Sequence, residues 1–133
     1  MPHTLARRLA LAGFMAFAPG ALFPLGGYPG DEESARVLFQ KLDQANTSED
    51  MVAAAGRIKA ELLVVLASDD ERTNVGWPAY EEALKAAGVT YRMLQPAATL
   101  HGFNNDTTPR CSWAAAAEAW GEALALFNRT LRG

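Results

Sequence analysis

Cysteine is nearly absent from this chain: Cys111 is the one thiol among 133 residues, so no intrachain disulfide can form. Histidine is almost as scarce, and two histidines with one cysteine at no ligand spacing do not build a zinc site, so no metal is expected. Charge of one sign is missing too. With 12 basic against 15 acidic residues there is no basic stripe to suit nucleic acid, and the charges read as a solvated surface. No run reaches the roughly 18 uninterrupted apolar residues a membrane span requires. The absence with the largest consequence is chemical: no GxSxG or GxCxG pattern occurs, the glycine-flanked strand-to-helix elbow that exposes an acyl-accepting side chain.

Half of the residues are hydrophobic, enough for one modest core, and a single domain over residues 1–133 is expected. The free thiol fits a reducing cytoplasm. A competing signal sits at the N-terminus, where Arg7-Arg8, the apolar Leu9 to Phe17 and the triplet Ala16-Phe17-Ala18 imitate a secretory leader. A helix stop at Gly13 followed by a strand-like Phe14 to Ala18 opposes that signal.

Local signals alternate between helix and strand. Thr4 is placed to cap a short helix carrying Leu5, Leu9 and Ala12, and Phe14 to Ala18 reads as a short buried strand closed by Pro19-Gly20. Asp31 is placed to cap a helix with Ala35, Leu38, Phe39 and Leu42 on one face, and Thr47 with Asp50 to open another that runs to about Ile58. Leu62 to Ala67 is a continuous apolar run, as in a strand buried on both faces of a parallel sheet. Pro78 suits a first helical turn and Gly88 a helix end, after which Thr90 to Leu94 reads as a strand. Trp113, Trp120, Leu124, Phe127 and Leu131 share one face of a long closing helix, which predicts that they pack in the core. The pattern predicts an α/β fold: three layers, with about three parallel strands flanked by helices.

Two residues stand where such a fold does chemistry. Asp70 and His101 each fall just past the carboxyl end of a predicted strand, and those ends line the ligand crevice of an open α/β sheet. An aspartate there can accept the Nδ1 proton of His101 and leave Nε2 to take a proton from a nucleophile. The structural alternative for Asp70 is a turn or cap residue that starts the segment Asn74 to Pro78.

Longer stretches carry a family resemblance. Asp70-Glu71-Arg72-Thr73-Asn74-Val75-Gly76-Trp77-Pro78-Ala79-Tyr80, Glu82 to Gly88, and His101-Gly102-Phe103-Asn104-Asn105-Asp106 closely resemble the C-terminal part of bacterial dienelactone hydrolase family proteins. Ala6 to Phe14 and Leu25-Gly26-Gly27-Tyr28-Pro29-Gly30-Asp31 resemble the family segment that precedes the nucleophile. The resemblance implies an α/β-hydrolase fold and hydrolysis of a lactone or carboxylic ester by a Cys-His-Asp triad, with no metal or organic cofactor. It makes Asp70 the triad acid and His101 the triad base. It also exposes departures: the family's GxCxGG elbow and its two following elements have no counterpart between about Ala55 and Ile58, and the opening strands have none before Met1. The expectation is a shortened, internally deleted relative whose activity is weak or lost.

Other residues invite roles. Ser68, two positions before Asp70, and Cys111, at a loop or helix start, are candidate substitute nucleophiles; against them stand a missing glycine-flanked turn and an incidental buried thiol. Arg72 is a candidate brace for Asp70 or for a substrate carboxylate, and Tyr28 a candidate crevice wall, with a surface salt bridge and a turn aromatic as the plain alternatives. The expected partner is a small ester or lactone. An alternative function is a non-catalytic remnant that dimerises to cover exposed sheet edges and serves as a small-molecule-binding or interaction module.

Overall fold

The computed structural model describes residues 5–16, 25–42 and 44–132. Two compact units divide the chain, Met1–Thr47 and Ser48–Gly133.

In the first unit, α1 (Leu5–Leu11) closes through the N–H of Gly13 to the carbonyl of Ala10 and the N–H of Phe14 to that of Leu9, both at 3.0 Å. These paired bonds satisfy carbonyls that a helix end otherwise leaves open. They also correct the expected strand at Phe14: its N–H is spent closing α1, and Phe14, Met15 and Ala16 are irregular rather than extended into a sheet. The proposed cap Thr4 and the segment from Phe17 to Gly20 lie outside the described residues. Asp31 does cap α2 (Glu32–Lys41), with Oδ1 accepting from the N–H of Ser34 at 2.8 Å. Of the apolar face expected there, Ala35 is buried, Leu38 and Leu42 are half-buried, and Phe39 is exposed.

Helix α3 (Gln44–Ala54) starts before Thr47, so the expected helix start at that residue moves upstream. Elongation adds one hydrogen bond for each residue fixed, and a helix nucleated earlier runs through a potential cap. A 3-10 turn, Ala55–Arg57, follows and leads towards the sheet.

The second unit is built on two parallel strands, β1 (Leu62–Val65) and β2 (Tyr91–Leu94), with Leu62 opposite Tyr91 and Val65 opposite Leu94. Among the described residues the sheet has two strands rather than the expected three. Leu62 to Val64 are half-buried and Val65 is exposed, so the run is not enclosed on both faces as its composition predicts. Parallel strands require a crossover, supplied here by the short α4 (Glu71–Asn74) and by α5 (Trp77–Ala86). Pro78 sits in the first turn of α5 as predicted, and the helix ends at Gly88, whose φ of +68° is the left-handed conformation such a stop uses. Leu84 on α5 is fully buried, which removes a whole leucine side chain from water and contributes about 2 kcal/mol.

Helix α6 (Trp113–Leu131) packs against β1. Its buried face is made of Ala115, Ala116 and Ala119, whereas Trp113 is 72% and Leu131 65% exposed, and Trp120, Leu124 and Phe127 are half-buried. The expected aromatic core face is therefore corrected. Small side chains let the helix backbone come close to the sheet, and the adjoining core is Ala67, Phe103, Ala115 and Ala119 with Leu94 packed on it.

Candidate active site

Beyond β1 and β2 the backbones stay in step for one more bond, the N–H of Leu66 to the carbonyl of Leu94 at 3.0 Å, and then open into two loops. The loops are stitched together. The N–H of Ser68 donates to Thr99 Oγ1 at 2.9 Å, the N–H of Thr99 donates to Ser68 Oγ at 3.0 Å, and the N–H of Asp69 donates to the Thr99 carbonyl at 2.9 Å. Thr99 is buried, and its hydroxyl in turn donates to the Pro96 carbonyl at 2.7 Å. The buried hydroxyl of Thr99 thus both accepts and donates, as a polar group taken from water requires. The turn that delivers Thr99 passes through Ala98 at φ +53°, a left-handed conformation that costs a non-glycine residue about 1–2 kcal/mol.

The stitch brings Asp70 and His101 together. Asp70 Oδ2 lies 2.6 Å from His101 Nδ1, across 31 residues of sequence. The other carboxylate oxygen, Oδ1, caps α4 by accepting from the N–H of Thr73 at 3.3 Å. The cap and histidine-partner readings of Asp70 therefore describe one carboxylate, with an oxygen for each task. Burial pushes the Asp70 carboxyl up, but hydrogen bonds to His101 and Thr73 outweigh it and hold the group below its ordinary value. An ionised carboxylate can only accept, so Nδ1 carries the shared proton and, in the neutral ring, Nε2 keeps its lone pair.

The His101 side chain is 71% exposed, whereas that of Asp70 is 10% exposed. Local sequence explains the contrast. Gly102 follows at φ +81°, a turn few other residues adopt, and Phe103 plunges into the core beside Ala67 and Ala115. The Phe103 carbonyl accepts from the N–H of Ser112, tying the histidine loop to the start of α6. Histidine out, glycine turn and phenylalanine anchor make up the triplet.

The remaining candidates are placed as follows. Ser68 Oγ accepts from Thr99 and donates to Asp69 Oδ1 at 2.8 Å, so its hydroxyl is engaged in the loop junction. Cys111 is a half-buried free thiol whose N–H bonds to the Thr108 carbonyl at 3.1 Å just before α6. Among the described residues neither Ser68 nor Cys111 is hydrogen-bonded to His101. Arg72 is exposed on α4 and makes no ion pair with a described residue, so it does not brace Asp70. Tyr28 is exposed in the first unit. Among the described residues no group of three or more His, Cys, Asp or Glu could hold a metal ion, and no helix is long and apolar enough to cross a membrane.

The sequence profile of the dienelactone hydrolase family matches residues 45–131, a span that contains both strands, Asp70 and His101. The chain belongs to the dienelactone hydrolase family. The chain is also 49% identical over 41 residues to YghX of Escherichia coli (strain K12), whose name places it provisionally among hydrolases, as a fragment. That stretch covers 31% of this chain and 35% of YghX.

In this dienelactone hydrolase family chain, two site residues escape sequence reasoning. Thr99 was hidden because a threonine before a histidine has no distinctive pattern; its role comes from pairing with a loop 31 residues away. Asn74 donates through Nδ2 to the carbonyls of Ala67 at 2.8 Å and Ser68 at 3.3 Å, fastening α4 to the end of β1. Its Oδ1 is buried without a hydrogen-bond partner among the described residues. Asn74 lies inside the stretch that resembles the family, and that resemblance was the available signal.

Proposed function

We propose that these 133 residues carry the acid and base of an ester- or lactone-hydrolysing site, Asp70 and His101, and contain no nucleophile of the family's triad. The observation that carries this reading is the 2.6 Å contact between Asp70 Oδ2 and His101 Nδ1 at the carboxyl ends of two parallel strands. Asp70 orients the ring and balances the charge the imidazole gains on taking a proton; His101 Nε2 is the proton acceptor. Family membership supports a small ester or lactone as substrate and a three-layer hydrolase architecture around the two strands. The sequence supports the missing part, since no glycine-flanked cysteine or serine is present. Residues acting as one catalytic unit lose most of their effect when the nucleophile is removed. Arg72, two residues past Asp70 and free of described ion pairs, is our candidate to meet a substrate carboxylate. The single free thiol favours the cytoplasm.

Two measurements test this reading. Nitrogen NMR of His101 at neutral pH is expected to show the Nδ1–H tautomer, and dienelactone hydrolysis is expected to stay at the level of His101→Ala. The Nε2–H tautomer would remove the base assignment. Lactone turnover lost in Cys111→Ala, or an acyl adduct trapped on Ser68, would place a nucleophile within the chain.

A second reading, the non-catalytic homodimeric module, draws on the sheet: β1 and β2 pair only with each other among the described residues, and Val65 and Met93 are exposed. Open strand edges invite a partner. Sedimentation that shows a monomer at all concentrations would count against it.

A further inference from the structure

A site with an oriented histidine and no hydroxyl or thiol hydrogen-bonded to it leaves one nucleophile in plain view, the imidazole itself. We infer that His101 Nε2 attacks activated aryl esters directly, so that the chain is acylated on His101 and turns over slowly through an acyl-imidazole. The inference rests on the reading of Asp70 and His101 as an oriented pair, and adds an activity that does not use the family's cysteine.

Three observations carry it. The His101 side chain is 71% exposed, and Nε2 has no hydrogen-bond partner among the described residues, so an ester carbonyl can reach it from solvent. Nδ1 is fixed at 2.6 Å from a carboxylate, which selects the tautomer with the lone pair on Nε2 and stabilises the positive ring that attack creates. That carboxylate is itself held in place, by the Thr73 N–H on its second oxygen and by the Ser68–Thr99 junction behind it. A free histidine in solution has the same ring without the fixed acceptor.

The steps balance. Nε2 donates its electron pair to the ester carbonyl carbon to form the new nitrogen–carbon bond, the bond from that carbon to the aryloxy oxygen breaks, and aryloxide leaves with the electrons of the broken bond. The acyl-imidazolium keeps its Nδ1 proton against Asp70. Water then adds to the acyl carbon and gives up one proton to solvent, the bond to Nε2 breaks with its electrons returning to nitrogen, and the carboxylic acid so released loses its remaining proton to solvent. The nucleophile is weak enough that only a good leaving group reacts, so aryl esters are substrates and alkyl esters are not.

The test uses the full chain with p-nitrophenyl acetate, an alkyl acetate for comparison, and N-acetylhistidine methylamide at equal concentration. The protein is expected to release nitrophenolate about tenfold faster than the histidine model, short of the roughly hundredfold of a fully positioned acid–base group. Peptide mapping after rapid quenching is expected to find acetyl on the His101 peptide. Release should fall to the model's rate in Asp70→Asn, which keeps a side-chain oxygen for the Thr73 cap, and His101→Ala should lose it. Acetyl confined to Cys111, lysines or the N-terminus, or a rate equal to the model's in the unaltered protein, would overturn the inference. The Nδ1–H tautomer with no His101 adduct would overturn it alone; the Nε2–H tautomer would overturn the underlying reading as well.

Discussion

Ser68 and Thr99 hold each other through reciprocal hydrogen bonds, each backbone N–H donating to the other's side-chain hydroxyl at 2.9 and 3.0 Å. The pair closes the sheet at its carboxyl end and sets the spacing at which Asp70, two residues on in one loop, meets His101, two residues on in the other. A serine that first suggests a nucleophile is here part of the frame.

Removing the Thr99 hydroxyl tests that frame. Thr99→Val keeps the shape but leaves the Ser68 N–H and the Pro96 carbonyl without partners in a buried place, a loss of about 1–3 kcal/mol. Urea denaturation is expected to show a lower midpoint, and the His101 ring resonances should lose the signature of a fixed Nδ1 partner. Thr99→Ser, which retains the oxygen, is expected to recover most of both.

The double duty of Asp70 separates in two variants. Asp70→Ala removes the α4 cap and the histidine partner together and is expected to cost about 1 kcal/mol through the cap alone. Asp70→Asn keeps a capping oxygen, since asparagine caps as well as aspartate, and loses the carboxylate at His101. Melting curves should rank Asp70→Ala below Asp70→Asn, while both lose the orientation of His101.

Acid should erase the contribution of Asp70 in a defined direction. Its folded carboxyl lies below the ordinary value of 3.8, because hydrogen bonds from His101 and Thr73 outweigh the opposing effect of burial. The unfolded chain therefore binds the proton first as pH falls. The stabilisation is fully present above 3.8 and disappears as pH falls through the lower folded value. The stability gap between the unaltered protein and Asp70→Asn is expected to narrow in that acid range. A gap unchanged down to the lowest accessible pH would contradict the assignment.

The sequence by itself determined what depends on neighbours along the chain. Asp31 as a cap, Pro78 in a first turn, Gly88 as a stop and the apolar runs at Leu62 and Thr90 all act within a few residues, and each is seen in place or within a residue or two. The positions of Asp70 and His101 just beyond two strands were legible for the same reason. Tertiary structure alone decided their contact, because the parallel register that sets Val65 against Leu94, and the Ser68–Thr99 junction above it, join segments that share no local signal. It also decided which face of α6 is buried. Periodicity places Trp113 and Leu131 on one stripe, but close approach to the sheet selects the alanines at 115, 116 and 119, and backbone distance is not written in hydrophobicity.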